Sequence, residues 1–254
     1  MMKCTFLGTG TSMGVPVAGG FGSERINGDP RNQRYRCSVW LQTDETSLII
    51  DTGPEFRLQT IRSGIKKIDL VLVTHEHMDH IAGLDDLRAF NYVQKSAIPL
   101  YTSARAADSI RERFSYMFGK DKYPGSTSID IHETDQPFSF QDLTITPLTY
   151  NHGRIDVQGY RVGDFSYMTD VKSVPEETRE KIMGSKVLVL SGLRWAPEHP
   201  THLTIPEAIE FATELEIPKT YLIHMNSYVD HKESNERLPD HVQLAYDMLE
   251  ISIP

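Results

Sequence analysis

Seven residues, Thr74-His75-Glu76-His77-Met78-Asp79-His80, constrain this chain more than any other stretch. They put three histidines and an aspartate into six consecutive positions. An apolar, mostly β-branched run, Ile68 to Val73, leads into them and reads as a buried strand. Behind them, Ile81 to Leu87 reads as the start of a short helix. The cluster therefore belongs in the loop at the end of a central strand, where a rigid sheet can aim several side chains at one spot. In extended backbone, residues two apart point the same way, so His75 and His77 can bind one cation together. Asp79 and His80 follow once the backbone has turned and can face a second cation beside it. Imidazole nitrogen and carboxylate oxygen suit Zn²⁺ and, with added water, Mn²⁺ or Fe²⁺; the ligand types do not rank the three.

The rest of the chain has to build the scaffold for that loop. Hydrophobic residues make up 39% of the 254 and charged residues 24%, which describes a soluble globular protein with a sizeable core. We read residues 1–254 as a single domain. No run of eighteen apolar residues is present, so no membrane span is expected. The N-terminus, Met1 to Phe6, reads as a first strand rather than an apolar leader. Cys4 and Cys37 are expected to be reduced and packed, which makes the cytoplasm the natural compartment. A formal net charge of −9 argues against a long nucleic acid as partner, since gripping phosphates takes many Lys and Arg contacts.

Taken in order, Cys4–Leu7 reads as a strand running into the glycine-rich segment Gly8 to Pro16. That segment matches a dinucleotide fingerprint poorly, and reads better as a tight turn close to the metal loop. Residues 17–36 read as a long loop carrying Arg31, Arg34 and Arg36, which could meet a small phosphate or simply be solvated. Ser38–Gln42 and Ser47–Ile50 form a hairpin whose second strand ends in Asp51. Helices are expected over 55–63, stopped by Gly64, and over 102–117. A third is expected from the Thr204-x-x-Glu207 capping box to about Leu215, and a last one over 240–250. Strands at 143–148, 159–162, 165–168, 187–190 and 221–223 complete the set. His152, Asp170 and His224 each follow one of them. A sandwich of sheets flanked by helices would gather such residues at one edge.

Thr-His-x-His-x-Asp-His behind a hydrophobic strand resembles the signature of the metallo-β-lactamase-fold hydrolases, and the chain is similar to them in length and in the order of its later motifs. The resemblance implies an α+β fold, the four-layer αββα sandwich, with two divalent cations per chain. Carried over position by position, His75, His77 and His152 would hold the first cation. Asp79, His80 and His224 would hold the second, and Asp170 would bridge both. Asp51 would orient a ligand or the metal loop. Two cations about 3.5–4 Å apart can share a hydroxide that serves as nucleophile.

The substrate class turns on His202, within Glu198-His199-Pro200-Thr201-His202-Leu203-Thr204. Phosphodiesterases of this fold have a histidine at this place, suited to assist the departing alkoxide. His199 is the rival and stands farther from the helix start. The whole chain is similar to the phosphoribosyl cyclic phosphate phosphodiesterases, and the tRNA 3′-end-processing endonucleases share the same residues. Those nucleases grip tRNA with a long arm, for which the seventeen residues between His152 and Asp170 leave no room. The phosphodiesterases often bind a structural zinc through cysteines in the early loop. This chain has no cysteine between Gly14 and Arg36, so we expect that zinc to be absent and other contacts to hold the loop. The expected activity is hydrolysis of a small cyclic or nucleotide-like phosphodiester by a metal-bridging hydroxide. The alternatives are a nuclease, a thioester hydrolase and a non-catalytic metal-binding scaffold. Such relatives are commonly dimers, so the resemblance also implies a homodimer.

Overall fold

The apolar runs become the central strands of two sheets. The structure, a computed structural model, describes residues 1–26, 28–119 and 122–254. Asn27, which the sequence places in the early loop, lies outside the described residues. In chain order, β1 (Met2–Gly8), β2 (Ser38–Gln42), β3 (Ser47–Ile50), β4 (Leu70–Leu72), β5 (Ile98–Thr102) and β6 (Ile129–Glu133) enter the first sheet. Next come β7 (Phe138–Phe140), β8 (Leu143–His152), β9 (Ile155–Val162), β10 (Phe165–Met168), β11 (Val187–Ser191), β12 (Lys219–Ile223) and β13 (Val242–Leu244) of the second. Finally β14 (Glu250–Ile253) returns to the first, beside β1. The spatial orders are β14-β1-β2-β3-β4-β5-β6 and β13-β12-β11-β10-β9-β8-β7.

The strands from β3 to β6 run parallel, as do those from β10 to β13. Parallel strands are covered on both faces, which is why β3, β4 and β11 read as unbroken apolar runs. Alternation then sorts the side chains into layers. Leu48, Ile50, Leu70 and Leu72 meet Tyr160, Tyr167, Val189 and Ile223 between the sheets. Ile49 and Val71 face outward onto Phe56, Leu84 and Ile110. Leu188, Leu190 and Leu222 face outward onto Ile205, Ala208 and Phe211. Helix, sheet, sheet, helix is the expected αββα order.

Helix Phe56–Ser63 ends at Gly64, which adopts φ 74° as a left-handed cap. Helix Ile205–Glu214 starts at the anticipated capping box: Thr204 N donates to Glu207 Oε2 at 2.6 Å and Glu207 N donates to Thr204 Oγ1 at 3.4 Å. Thr204→Ala should therefore cost about 1 kcal/mol, read as a lowered urea midpoint with an unchanged slope.

The expected helix over 240–250 does not form. Val242 and Leu244 are buried with Gln243 exposed between them, a period of two, and this strand pairs in parallel with β12. Glu250–Ile253 pairs antiparallel with β1. The segment between is tied down by long-range polar contacts that no local pattern encodes. Asp247 accepts from Thr9 Oγ1 at 2.8 Å and from Tyr35 N at 2.7 Å.

The same contacts secure the early loop. Arg34 is only 1% exposed, and its Nη1 donates to Thr9 Oγ1 and to the Ala245 carbonyl at 2.9 and 2.8 Å. Asn32 Nδ2 donates to Asp230 Oδ2 at 2.9 Å, and His231 N donates to Asn32 Oδ1 at 2.7 Å. Side-chain hydrogen bonds thus bind the loop to the chain's last fifty residues. Gly8 is required here, because a Cβ would stand 1.9 Å from the Arg36 carbonyl oxygen. Cys4 and Cys37 are free and buried, and burial pushes both thiols up. Among the described residues no helix is long and apolar enough to cross a membrane.

Candidate metal centre

Strand ends deliver the polar residues to one edge of the sandwich. β4 feeds Thr74 to His80, β8 ends on His152, β10 runs to Asp170, and β12 runs to His224. β3 delivers Asp51 behind them. Asp51, Asp170 and His224 all have left-handed backbone, at φ 63°, 57° and 62°. Non-glycine residues adopt that region at a cost, and here it swings each side chain off its strand and into the cluster.

Two ligand groups result. Ligand atoms of His75, His77, His152 and Asp170 lie within 4.8 Å of one another, and so do those of Asp79, His80, Asp170 and His224. The seven residues singled out as ligands in the sequence are therefore together, and Asp170 belongs to both groups. Its Oδ2 faces His75 Nε2 at 3.9 Å and His152 Nε2 at 3.7 Å. Its Oδ1 faces His80 Nε2 at 3.4 Å and His224 Nε2 at 3.1 Å. One carboxylate thus presents one oxygen to each group. His75 Nε2 and His77 Nδ1 are 2.9 Å apart, about the separation of two nitrogens each ~2.0–2.1 Å from one ion at a right angle.

The surroundings set which nitrogens carry lone pairs. Asp51 is fully buried and accepts from Thr74 N at 2.8 Å, Thr74 Oγ1 at 2.9 Å and His80 Nδ1 at 2.7 Å. His75 Nδ1 lies 3.0 Å from Thr74 Oγ1, and His152 Nδ1 donates to the Thr201 carbonyl at 2.8 Å. With Nδ1 engaged on each ring, Nε2 of His75, His80 and His152 is left to face the cluster. His80 Nε2 and both ring nitrogens of His224 are buried without a hydrogen-bond partner. Orphaned buried nitrogens beside carboxylates are what a cation would satisfy, so the donor set fits divalent metal.

Electrostatics point the same way. Burial disfavours charge on Asp170, His80 and His75. On Asp170 the neighbouring His224 and His80 outweigh it and hold the carboxyl well below its usual range. On His80, burial is outweighed by Asp79, Asp51 and Asp170, which raise its pKa. Burial, then His80, keeps His75 neutral.

His202 sits across both groups. Its ring centroid is 4.7 Å from that of His152 and 4.7 Å from that of His224. Two backbone bonds set its loop: Leu203 N donates to the Val171 carbonyl at 2.7 Å, and Leu193 N to the Leu203 carbonyl at 2.9 Å. Its Nδ1 is buried without a partner. Burial and then His224 push its pKa down to about 3. His199, the rival, lies behind it, 5.0 Å from the His202 ring, with Nδ1 turned to Thr201.

The loop arginines do not reach the cluster as free cations. Arg31 pairs with Asp29, Arg34 is enclosed as described, and Arg36 pairs with Glu55 and donates to the Ser12 carbonyl. The arginine that does flank the cluster is Arg154, two residues after His152, which the sequence reading passed over. Its one signal was adjacency to a ligand in a hairpin turn.

Residues 46–225 match the model of the beta-lactamase superfamily domain. The chain belongs to that superfamily of metal-dependent hydrolases. Within it the whole length is similar to a crystal structure described as a new diphosphatase from the PhnP family. The two are 35% identical over 100% of this chain and 98% of that one, with a TM-score of 0.91. The short form of human tRNase Z shares the fold, with a TM-score of 0.69 at 20% identity over 99% of each chain. Among curated proteins, ribonuclease Z of Enterococcus faecalis is 29% identical over 65% of this chain and 50% of its own. A Porphyromonas gingivalis protein named octanoyltransferase is 39% identical over 99% of this chain but 52% of its own length. The chain thus spans about half the length of the curated relatives it matches.

Proposed function

We propose that the chain is a binuclear metal-dependent phosphodiesterase acting on a small cyclic or nucleotide-like phosphodiester. The observation that carries this reading is His202, whose ring lies against a histidine of each ligand group. Bound divalent cations would lower the pKa of water and offset negative charge on the phosphoryl oxygens. His75, His77 and His152 would hold one ion, Asp79, His80 and His224 the other, and Asp170 would join them. Zn²⁺ and Mn²⁺ both suit these ligands, as does Fe²⁺.

Burial, and then His224, favour an uncharged His202 ring. As negative charge grows on the leaving oxygen, the ring N–H of His202 can donate a hydrogen bond to it, and the oxygen takes its proton from water. A non-catalytic scaffold has no use for such a group. Long RNA is disfavoured by a net charge of −9 and by the β8–β9 connection, a two-residue turn at Gly153-Arg154 with no room for an arm.

The test is hydrolysis of diesters with aryl and alkyl leaving groups by the metal-reconstituted protein. His202→Ala should slow the alkyl diester by about 10²–10⁴-fold and the aryl diester far less, with metal content retained. Equal effects on both esters would remove His202 from leaving-group assistance. A second reading, acyl thioester hydrolysis, is favoured by the name of the Porphyromonas relative, although that name covers a protein about twice as long. Turnover of thioesters with no diester cleaved would establish it instead.

A further inference from the structure

Three of the ligand histidines are aimed by a contact on the ring nitrogen that faces away from the cluster, and His224 is not. Nδ1 of His75, His80 and His152 is engaged by Thr74 Oγ1, Asp51 Oδ2 and the Thr201 carbonyl. His224 Nδ1 is buried and has no hydrogen-bond partner among the described residues. Its ring lies close to parallel with those of His80 and His202, at 10° and 25°, which limits its tilt without a hydrogen bond. The aim of His224 therefore comes from its backbone. We propose that Thr9, held between Arg34 and Asp247, is a positioning residue that sets this backbone and so turns His224 to the second ligand group. The proposal rests on the binuclear metal reading and adds to it a control on one of the two ligand groups.

The connection runs through Met225, the next residue in the chain. Met225 N donates to the Thr9 carbonyl at 3.2 Å, and its carbonyl accepts from Thr11 N at 3.1 Å. Gly10, between them, bridges in parallel to both Met225 and Arg36. A Cβ on Gly10 would lie 2.9 Å from Arg34 Cβ, so the segment 9–11 is packed hard between the early loop and the end of β12. On the other side, Gly192 N donates to the Ile223 carbonyl at 2.9 Å and Asn226 N to the Leu193 carbonyl at 3.0 Å. His224 is thus gripped from two sides at φ 62°, a conformation that costs free energy and is kept only while the grip holds.

The Thr9 hydroxyl is the peg. It is fully buried, accepts from Arg34 Nη1 at 2.9 Å and donates to Asp247 Oδ1 at 2.8 Å. Arg34 Nη1 also reaches the Ala245 carbonyl, and Asp247 Oδ2 accepts from Tyr35 N. One hydroxyl therefore joins three segments distant in sequence, and Arg34 and Asp247 are themselves buried. Valine has the shape of threonine without the hydroxyl. Thr9→Val removes the partner of a buried arginine N–H and of a buried carboxyl oxygen together. Water or a shift of the segment then has to satisfy them, and a shift of Thr9 carries Met225 with it.

Two single-group backgrounds test this: His77→Ala, which leaves the second ligand group whole, and Asp79→Ala, which leaves the first. Zn²⁺ affinity is read by competition with a chromophoric chelator. Adding Thr9→Val should weaken Zn²⁺ by about 10–100-fold in the His77→Ala background and leave the Asp79→Ala background unchanged. Thr9→Ser, which keeps the hydroxyl, should restore most of the loss. Thr46→Val serves as the control: it removes a buried hydroxyl bonded to Gln141 and Asp142 at the far end of β3, and should leave both backgrounds alone. Equal weakening in the two backgrounds, or the same loss from Thr46→Val, would reduce Thr9 to a general stabiliser and overturn the proposal. Hydrogen–deuterium exchange of the metal-free chain gives a second readout. Thr9→Val should speed exchange of the Met225 amide by at least about 10-fold while the Val73 amide, bonded to the Tyr101 carbonyl, keeps its rate. If neither background binds Zn²⁺, the metal reading fails. Exchange then decides the positioning alone: selective speeding at Met225 upholds it and an unchanged rate overturns it.

Discussion

Asp170→Ala is expected to lower kcat/KM for any phosphodiester by more than about 10³-fold, and to lower the metal bound per chain with it. The size follows from geometry. Oδ1 and Oδ2 of this carboxylate each serve a different ligand group, so its loss weakens both at once. Removal of a residue such as Asp79 touches one group. Alanine also tolerates the left-handed backbone poorly, so Asp170→Asn is the cleaner partner variant, keeping both size and φ preference. Elemental analysis beside turnover checks the result. Full activity with two ions still bound in both variants would remove Asp170 from the bridging position.

Asp51→Ala is expected to be the most damaging change away from the ligands themselves. It leaves three buried donors, Thr74 N–H, Thr74 O–H and His80 Nδ1–H, without an acceptor. Each orphaned donor costs about 1–3 kcal/mol, so unfolding free energy should drop by at least about 3 kcal/mol. Metal affinity should fall by about 10–100-fold, because the aspartate fixes His80 directly and His75 through Thr74. Denaturant unfolding and competition with a chelator read the two effects separately. A variant with unchanged metal affinity would mean that His75 and His80 keep their orientation without this carboxylate.

The seven candidate ligand positions, which the fold brings together, were legible because each lies at or just beyond the end of an apolar run, and the order of such ends is itself a pattern. The central strands were legible for the same reason: burial on both faces leaves Ser47–Ile50 and Val187–Ser191 almost wholly apolar. Strands at or next to the sheet edges were not. β5 carries Pro99 and β6 carries Asp130 and His132, which hide a strand. Residues 240–250 read as a helix, whereas their conformation is set by β12, by β1 and by the Thr9–Asp247 bond. Arg154 was missed since an arginine in a turn looks solvated until Pro200 and Thr201 appear opposite it.

The left-handed backbone at 51, 170 and 224 also bears on descent. Each position is one where glycine or asparagine would relieve the local conformation, and each instead keeps a side chain that the backbone resists. Selection for stability alone would erode all three. A gene copy of this fold released from hydrolysis should therefore drift first at these residues, gaining sturdiness as it loses chemistry. Glycine or asparagine there would mark a retired enzyme even where the histidine-rich loop still looked intact.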